Sequence, residues 1–202
     1  MTGRLRGPGD RQAGVSVVEM TIVVALLGLV LALALQSLSA YQRAAAATDT
    51  RQQNLDEARV VMAVLTKDLR TATSFSALAA GDVTFLGLVN TGATAPPNQL
   101  RLDVDGQGVL RERTWLPDDP NASPITYTGT PDRTRVVGRG LVTTGSLLSF
   151  RDSADAATTT LSAVRSVVIN LSVDLPSGAP VPPTVLSGRV FLPNVAAAAS
   201  GA

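Results

Sequence analysis

The sequence predicts an α+β fold in which a long N-terminal α-helix packs on a C-terminal antiparallel β-sheet. Two patterns in the 202-residue chain carry this prediction. Residues 15–73 lack proline and are rich in helix-forming residues, first in one apolar run and then with an apolar stripe. After Ser74, short runs with period-two alternation are separated by Gly, Pro, Asn and Asp. We therefore expect one modest globular domain behind one membrane-type segment.

The composition excludes several kinds of chemistry. The chain has neither Cys nor His, so disulfides, thiolate metal sites and histidine-based catalysis have no residues to carry them. The formal net charge of +1 provides no broad electrostatic surface for nucleic acid. Composition alone therefore identifies no partner.

Residues 1–14 are predicted to form a short basic leader. Three arginines oppose a single acidic residue there, Asp10, and glycines with one proline interrupt regular structure. Positive charge in front of an apolar segment favours an N-terminus that stays in the cytoplasm. The remainder of the chain is then expected outside the cytoplasmic (inner) membrane, after a single pass.

Residues 15–36 are predicted to be the transmembrane helix. The apolar run is interrupted only by Ser16, Glu19, Thr21 and Gly28. Because about 20 residues suffice to span the hydrocarbon core as a helix, the segment is long enough. Hydropathy alone leaves a cleaved secretory signal open, since residues 32–34 or 37–39 could serve as its small-residue cleavage site. Glu19 is the unexpected residue, because a charge at the bilayer centre costs about 2.5–3.5 kcal/mol.

The order of residues around Glu19 resembles the N-terminus of a known family. Gly14 is followed by Val15, a hydroxyl residue, two further aliphatic residues, Glu19 and the remainder of the apolar run. This order and spacing are similar to the prepilin-type N-terminus of type IV pilins and type II secretion pseudopilins. The sequence departs from the family pattern at Val15, where the family usually has Phe, and at Val17, where Leu is common.

The resemblance implies a processing site and an assembly residue. A prepilin peptidase would cut between Gly14 and Val15 and methylate the new terminal amine of Val15. Glu19 would then lie one helical turn from that amine, and in the family the equivalent glutamate neutralises the amine of a neighbouring subunit. The alternative is that Glu19 lies near the cytoplasmic face and reaches the lipid headgroups.

The resemblance also implies a non-enzymatic filament subunit without a cofactor. Its partners would be other pilin or pseudopilin subunits, the prepilin peptidase, an inner-membrane assembly platform and membrane lipid. Residues 58–72 are similar to the helix end of J-class minor pseudopilins and PilW-type minor pilins, which favours a minor subunit. Secretion, pilus and DNA-uptake machines share this N-terminus. The alternative is a single-pass membrane-anchored or exported adhesin or receptor domain.

Residues 37–75 are predicted to continue the helix as an amphipathic extension. Apolar residues recur there at steps of three and four: Leu55, Ala58, Met62, Leu65, Leu69 and Ala72. This spacing favours a stripe that packs on the protein's own sheet, and contact with a partner helix is the alternative. Asp68 and Arg70 belong either to the family-like helix end or to the solvated face.

Residues 76–195 are predicted to form one antiparallel sheet, followed by a flexible tail at residues 196–202. The strand candidates are residues 83–88, 99–103, 109–115, 147–151, 164–173 and 185–192. The second and third candidates flank residues 105–108, whose glycines supply the positive φ of a hairpin turn. Residues 117–124, 129–135 and 152–160 are predicted to be surface loops, and residues 177–183 a proline-rich turn.

Other chemistries find weaker support in the sequence. Lys67, the only lysine, is beside Asp68 and far from any serine motif, which argues against a Ser/Lys dyad. Residues 103–108 fit a hairpin turn better than a calcium loop, because the later ligands of such a loop are missing. Nucleic-acid contact is a weaker alternative, carried by Arg111, Arg113, Arg133, Arg135 and Arg139.

Overall fold

The computed structural model describes residues 16–88, 96–176 and 180–195. These residues form one long α-helix, eight β-strands and one short 3₁₀ helix, which confirms the α+β class. The chain divides into two compact units, Met1–Ala45 and Ala46–Ala202. The predicted leader, the predicted tail and residues 177–179 of the predicted turn lie outside the described residues.

Helix α1 comprises Val17–Arg70. Ser16 caps its first turn, because the Ser16 hydroxyl accepts a hydrogen bond from the Val18 N–H at 3.3 Å. The helix ends at Arg70, before the predicted boundary at residue 75. There Thr71 donates both its N–H (3.0 Å) and its hydroxyl (2.7 Å) to the carbonyl of Asp68, which turns the chain into a strand.

The first five strands form one antiparallel sheet, here called sheet 1. In spatial and chain order they are β1 (Ala72–Leu78), β2 (Asp82–Gly87), β3 (Asn98–Val104), β4 (Leu110–Trp115) and β5 (Arg133–Gly138). Two of them correct the sequence prediction, which assigned residues 72–75 to the helix and 129–135 to a loop. Neither strand has a clear alternation of apolar and polar residues. Strand β1 forms because it pairs with β2, and strand β5 forms because it pairs with β4.

The last three strands form a second antiparallel sheet, sheet 2. They are β6 (Leu148–Arg151), β7 (Ser166–Val173) and β8 (Thr184–Phe191), in that spatial order. The prediction of a single sheet is therefore wrong. The chain after β5 does not add a sixth strand to sheet 1, because β6 pairs with β7 instead. All six strand candidates are confirmed, with ends that differ by about two residues or fewer.

The hairpin between β3 and β4 confirms the predicted turn. Asp105 Oδ1 accepts hydrogen bonds from the N–H groups of Gln107 (2.9 Å) and Val109 (3.0 Å). Gly108 has φ +71°, and a Cβ built on it would lie 2.3 Å from the carbonyl oxygen of Leu141. Only glycine fits this position. The other oxygen of Asp105 contacts Arg111 Nη1 at 2.5 Å, so both carboxylate oxygens of Asp105 bind groups of the hairpin.

The second half of α1 and both sheets share one hydrophobic core. The predicted stripe is confirmed as buried at Ala58, Leu65, Leu69 and Ala72, while Leu55 and Met62 are half-buried. Val61 is also fully buried. It lies against β5 at Gly138, where an added Cβ would come within 2.1 Å of Val61 Cγ2. The absence of a side chain at Gly138 therefore lets α1 approach β5 closely.

Candidate functional site

Glu19 lies in the first turn of α1 and is exposed to solvent. Its carboxylate forms no hydrogen bond or ion pair with the described residues. Ser16 and Glu19 have the spacing of a capping box, a signal that the sequence prediction missed. The capping box itself does not form among the described residues, because the Ser16 hydroxyl accepts from the N–H of Val18 rather than from that of Glu19. The Glu19 carboxylate thus keeps its capacity to accept hydrogen bonds and to pair with a cation.

The predicted processing site lies outside the described residues. Gly14 and Val15 both precede Ser16, the first residue that the structure describes. Cleavage between them and methylation of Val15 therefore stay predictions. Glu19, the third residue of the predicted site, is described and follows Val15 by four residues in the sequence.

The apolar half of α1 is exposed along its whole length. Every large apolar side chain between residues 17 and 38 is at least 53% exposed. These 22 residues measure about 33 Å at 1.5 Å per residue, against a hydrocarbon core of about 30 Å. Within the described chain, α1 is the one helix long and apolar enough to cross a membrane, with a mean hydropathy of 2.6 in its most apolar part. An apolar surface of this extent requires lipid or protein to cover it.

The hydroxyl groups of this half are satisfied by the helix itself. The Thr21 hydroxyl donates to the carbonyl of Val17 at 2.8 Å, and the Ser37 hydroxyl donates to the carbonyl of Leu33 at 2.9 Å. Such internal bonds suit a lipid environment, where backbone and side-chain polar groups find no water. Glu19 differs from both, because nothing in the described chain pairs with it.

A second carboxylate of α1 lies in a buried cluster with charges from sheet 1. Asp68 is 3% exposed and Glu112 in β4 is 6% exposed. Arg135 in β5 donates to Glu112 through Nε at 2.8 Å and again through Nη2, and it donates to Asp68 Oδ2 at 3.3 Å. The interpretation of Asp68 as a solvated residue is therefore wrong, whereas Arg70 is exposed.

Two carboxylates thus share one guanidinium in the core. Burial is the largest cause that raises the pKa of Asp68, followed by the hydrogen bond and the charge of Glu112. Arg135 and Lys67 act in the opposite direction, and the resulting pKa is about 7. Asp68 is therefore a proton-sensitive contact between the end of α1 and sheet 1. The alternation of Glu112 with Arg111 and Arg113 along β4 was the available sequence signal, because it places Glu112 on the inner face with Leu110 and both arginines on the outer face.

Most of the arginines considered for nucleic-acid contact are paired within the domain. Arg111 pairs with Asp105 at 2.5 Å, Arg113 pairs with Asp103 at 3.2 Å, and Arg135 belongs to the buried cluster. In residues 16–88, 96–176 and 180–195, no group of three or more His, Cys, Asp or Glu is arranged to hold a metal ion. The distinctive chemistry of the described chain is therefore the unpaired Glu19 on an exposed apolar helix.

Comparison with known proteins adds no relative. No protein-family profile, no curated protein and no solved structure matches this chain. Its function has to be inferred from its own residues and from the geometry of α1.

Proposed function

We propose that this chain is a prepilin-like minor subunit of a type IV pilus or a type II secretion pseudopilus, assembled through its N-terminal helix. The observation that carries the proposal is Glu19, a carboxylate without a partner in the described chain, in the first turn of a helix whose large apolar side chains between residues 17 and 38 are all exposed. The prepilin-like order from Gly14 to Glu19 supplies the missing partner, a terminal amine at Val15.

The proposed mechanism is assembly through a charge pair. The basic leader keeps the N-terminus in the cytoplasm while the domain lies outside the inner membrane. Removal of residues 1–14 frees the Val15 amine, and Glu19 neutralises this amine on a neighbouring subunit. An unpaired charge is strongly disfavoured in apolar surroundings, so only a register that pairs the two charges is stable. The exposed apolar half of α1 then exchanges lipid for neighbouring helices in a surface or periplasmic filament.

The proposal includes no catalysis and no cofactor. Energy for extraction from the bilayer comes from an assembly ATPase, which acts through the inner-membrane assembly platform. The partners are other pilin or pseudopilin subunits and the prepilin peptidase.

The N-terminal residue of the mature protein separates this function from that of an anchored or exported adhesin. We expect mass spectrometry of the protein from its native membrane to find an N-methylated chain that begins at Val15. A terminus after residue 34 or 39, or an intact leader, would instead indicate an ordinary signal or anchor and would overturn the proposal.

A substitution at Glu19 tests the charge pair separately from helix capping. Glu19→Gln keeps a hydrogen-bond acceptor at the capping-box position but cannot neutralise an amine. We expect roughly a hundredfold less incorporation into filaments, in line with the about 2.5–3.5 kcal/mol cost of an uncompensated charge in the membrane. Incorporation is measured by immunoblotting of sheared filaments against the membrane pool.

Thr21→Val is the matched control for Glu19→Gln. It removes a polar side chain two residues away, whose only described bond is to the Val17 carbonyl. We expect this variant to assemble like the parent. If Glu19→Gln also assembles like the parent, the charge pair is not required and the mechanism is wrong, whatever the N-terminus proves to be.

A further inference from the structure

A groove lies between the exposed side of α1 and β8, within the unit Ala46–Ala202. Its volume is about 600 Å³, and its lining is mostly apolar. Met62 and Ala63 of α1 and Leu186 of β8 are its apolar lining residues. The two elements are in close contact, since a Cβ added at Gly188 in β8 would lie 3.4 Å from Met62 Sδ.

Strand β8 is an open edge beside this groove. It pairs with β7 along its full length from Thr184 to Phe191, and no other described strand or bridge pairs with its second side. Natural proteins usually protect such an edge with proline, with inward charges or with a covering segment. Strand β8 contains no proline, and its outward Val185 and Phe191 are 67% and 66% exposed.

The single charge on β8 is held by its own sheet and by a neighbouring loop. Arg189 donates to the Ser166 hydroxyl through Nε (3.0 Å) and Nη2 (2.8 Å), and it pairs with Asp155 at 2.6 Å. Its guanidinium also lies 4.9 Å from the centre of the Phe191 ring. Because these contacts engage the guanidinium, Arg189 does not protect the edge of β8 against pairing with another strand. The backbone N–H and C=O groups of an edge of this kind are suited to pair with an added strand.

The rim of the groove is positively charged. Arg59, Lys67 and Arg70 of α1 line it, and all three are exposed. Lys67 and Arg70 form no ion pair with the described residues, while Arg59 contacts Asp56 at 3.6 Å between side chains that are both largely exposed. Exposed pairs of this kind contribute little, so Arg59 is readily recruited by another carboxylate.

The charge of the rim decides between two occupants. A second copy packed groove to groove by a two-fold axis would bring the same cations face to face, which is unfavourable. A segment of opposite charge has no such penalty. Arg59 and Arg70 are separated by about 16 Å along the helix at 1.5 Å per residue, a distance that about five residues of extended chain cover.

We propose that this groove binds an acidic, extended segment of a partner protein, which adds to β8 as a further strand. Its backbone pairs with the open edge of β8, and its alternate side chains meet the groove. The side chains on that face carry carboxylates, which meet Arg59, Lys67 and Arg70, and their methylene groups cover Met62 and Leu186. This interaction surface lies in the globular unit, so its use does not depend on processing at Gly14 or on Glu19.

The test uses the full-length chain in detergent micelles and a labelled peptide of eight alternating valines and glutamates with blocked termini. Fluorescence anisotropy measures binding. We expect binding that weakens as salt is added, and no comparable binding of the same peptide with lysine in place of glutamate. Absence of binding by the glutamate peptide, or equal binding of both peptides, overturns the proposal.

Two pairs of charge reversals locate the site. Lys67→Glu combined with Arg70→Glu should weaken peptide binding by about tenfold or more, because two of the three rim cations become anions. Arg51→Glu combined with Arg133→Glu makes the same change in net charge at exposed positions outside the groove and should leave binding within about twofold. Equal effects of the two pairs contradict the groove. Circular dichroism checks that all four substitutions leave the fold intact.

Backbone methylation of the peptide tests strand addition. In an extended strand, the N–H groups of alternate residues point to the same edge. N-methylation of only the valines or only the glutamates therefore blocks one edge at a time, and one of the two peptides should lose binding while the other retains it. Equal binding of the two methylated peptides overturns strand addition.

If the chain instead dimerises in micelles and the Lys67 and Arg70 reversals abolish the dimer, a second copy is the occupant and the proposal is wrong.

Discussion

The two halves of α1 each contain a carboxylate, but the two carboxylates have opposite environments. In the apolar half, Glu19 is exposed and has no partner in the described chain. In the half that belongs to the globular unit, Asp68 is buried and contacts Arg135, which also binds Glu112. A carboxylate in an apolar environment needs a cation or a proton. Asp68 contacts a cation of its own chain, Arg135, and its raised pKa lets it also bind a proton from solvent, whereas Glu19 has no cation partner in the described chain.

This difference indicates what each half of the helix is for. The second half has its complement inside the domain, so its residues stabilise the fold. The first half exposes its apolar side chains and Glu19, which is typical of a surface that lipid or protein covers.

Removal of the cation from the buried cluster should have the largest effect. Arg135→Met leaves Asp68 and Glu112 buried without their shared guanidinium, and breaking a buried pair in this way costs about 3–5 kcal/mol. We expect chemical denaturation of the full chain in micelles to show this decrease in the free energy of unfolding of the globular unit. Arg133→Met, two residues away and exposed, should change it by less than about 0.5 kcal/mol.

The proton on Asp68 should make the stability of the globular unit depend on pH. The pKa of Asp68 is about 7 in the folded protein, against 3.8 for an ordinary aspartate. Between these values the unfolded chain has lost the proton that the folded chain retains, so the free energy of unfolding decreases as the pH rises from 3.8 to about 7. The group contributes no further change above or below that window. The expected difference is a few kcal/mol, measured by denaturation at fixed pH steps.

Two substitutions check the assignment of that slope. Asp68→Asn should flatten the dependence and make the variant less sensitive than the parent to alkaline pH, because no carboxylate remains to ionise in the core. Asp56→Asn, which changes an exposed carboxylate on the same helix, should leave the slope unchanged. A parental slope in Asp68→Asn would show that another group binds the proton.

Substitutions at two glycines test how tightly each half of α1 is packed: Gly138 of β5 lies against the second half, and Gly28 belongs to the first half. A Cβ at Gly138 would lie 2.1 Å from Val61 Cγ2, whereas a Cβ at Gly28 would meet nothing within 4 Å. Gly138→Ala should destabilise the globular unit by about 1–3 kcal/mol through overpacking. Gly28→Ala should leave the unfolding of that unit unchanged in the same denaturation measurement. Adding Val61→Ala to Gly138→Ala should recover part of the loss, and no recovery would place the strain elsewhere.

The sequence was a good guide wherever a structure depends on neighbouring residues. Apolar runs and helix-forming residues predicted α1, period-two alternation predicted six strands, and Gly108 marked the β3–β4 turn. What it did not predict depends on distant partners. Strand β1 has a weak pattern of small residues and forms against β2, where Phe75 pairs with Phe85. The division into two sheets likewise depends on which strands pair.

Asp68 shows the same limit at a single site. Its position beside Lys67 and Arg70 near the end of a helix is typical of a solvated charge. Its burial depends on Arg135, 67 residues further along the chain, and on Glu112 in the adjacent strand. The environment of Glu19 is local by comparison. An apolar run on one side and a glycine-ended basic leader on the other are both visible in sequence, so the sequence singles out Glu19, whose role stays a prediction, but it gives no sign that Asp68 is buried.

Loss of the helix cap should have the smallest effect. Ser16→Ala removes the hydroxyl that accepts the Val18 N–H, which costs about 1 kcal/mol at the start of a helix. Hydrogen exchange at the first amides of α1 should become faster, while Ser16→Thr, which keeps the hydroxyl, should resemble the parent. The unfolding of the globular unit should be unaffected by either change.

Removal of this cap also distinguishes two explanations of how Glu19 acts, through its charge or through the order of the first helical turn. If Glu19 acts through its charge, Ser16→Ala should reduce filament incorporation far less than Glu19→Gln, because the carboxylate is still present in the frayed variant. Equal losses in both variants would mean that an ordered first turn, rather than an ion pair, is what assembly requires. Glu19 would then act as the second half of a capping box that forms only in the filament, and Glu19 and Asp68 would both be structural.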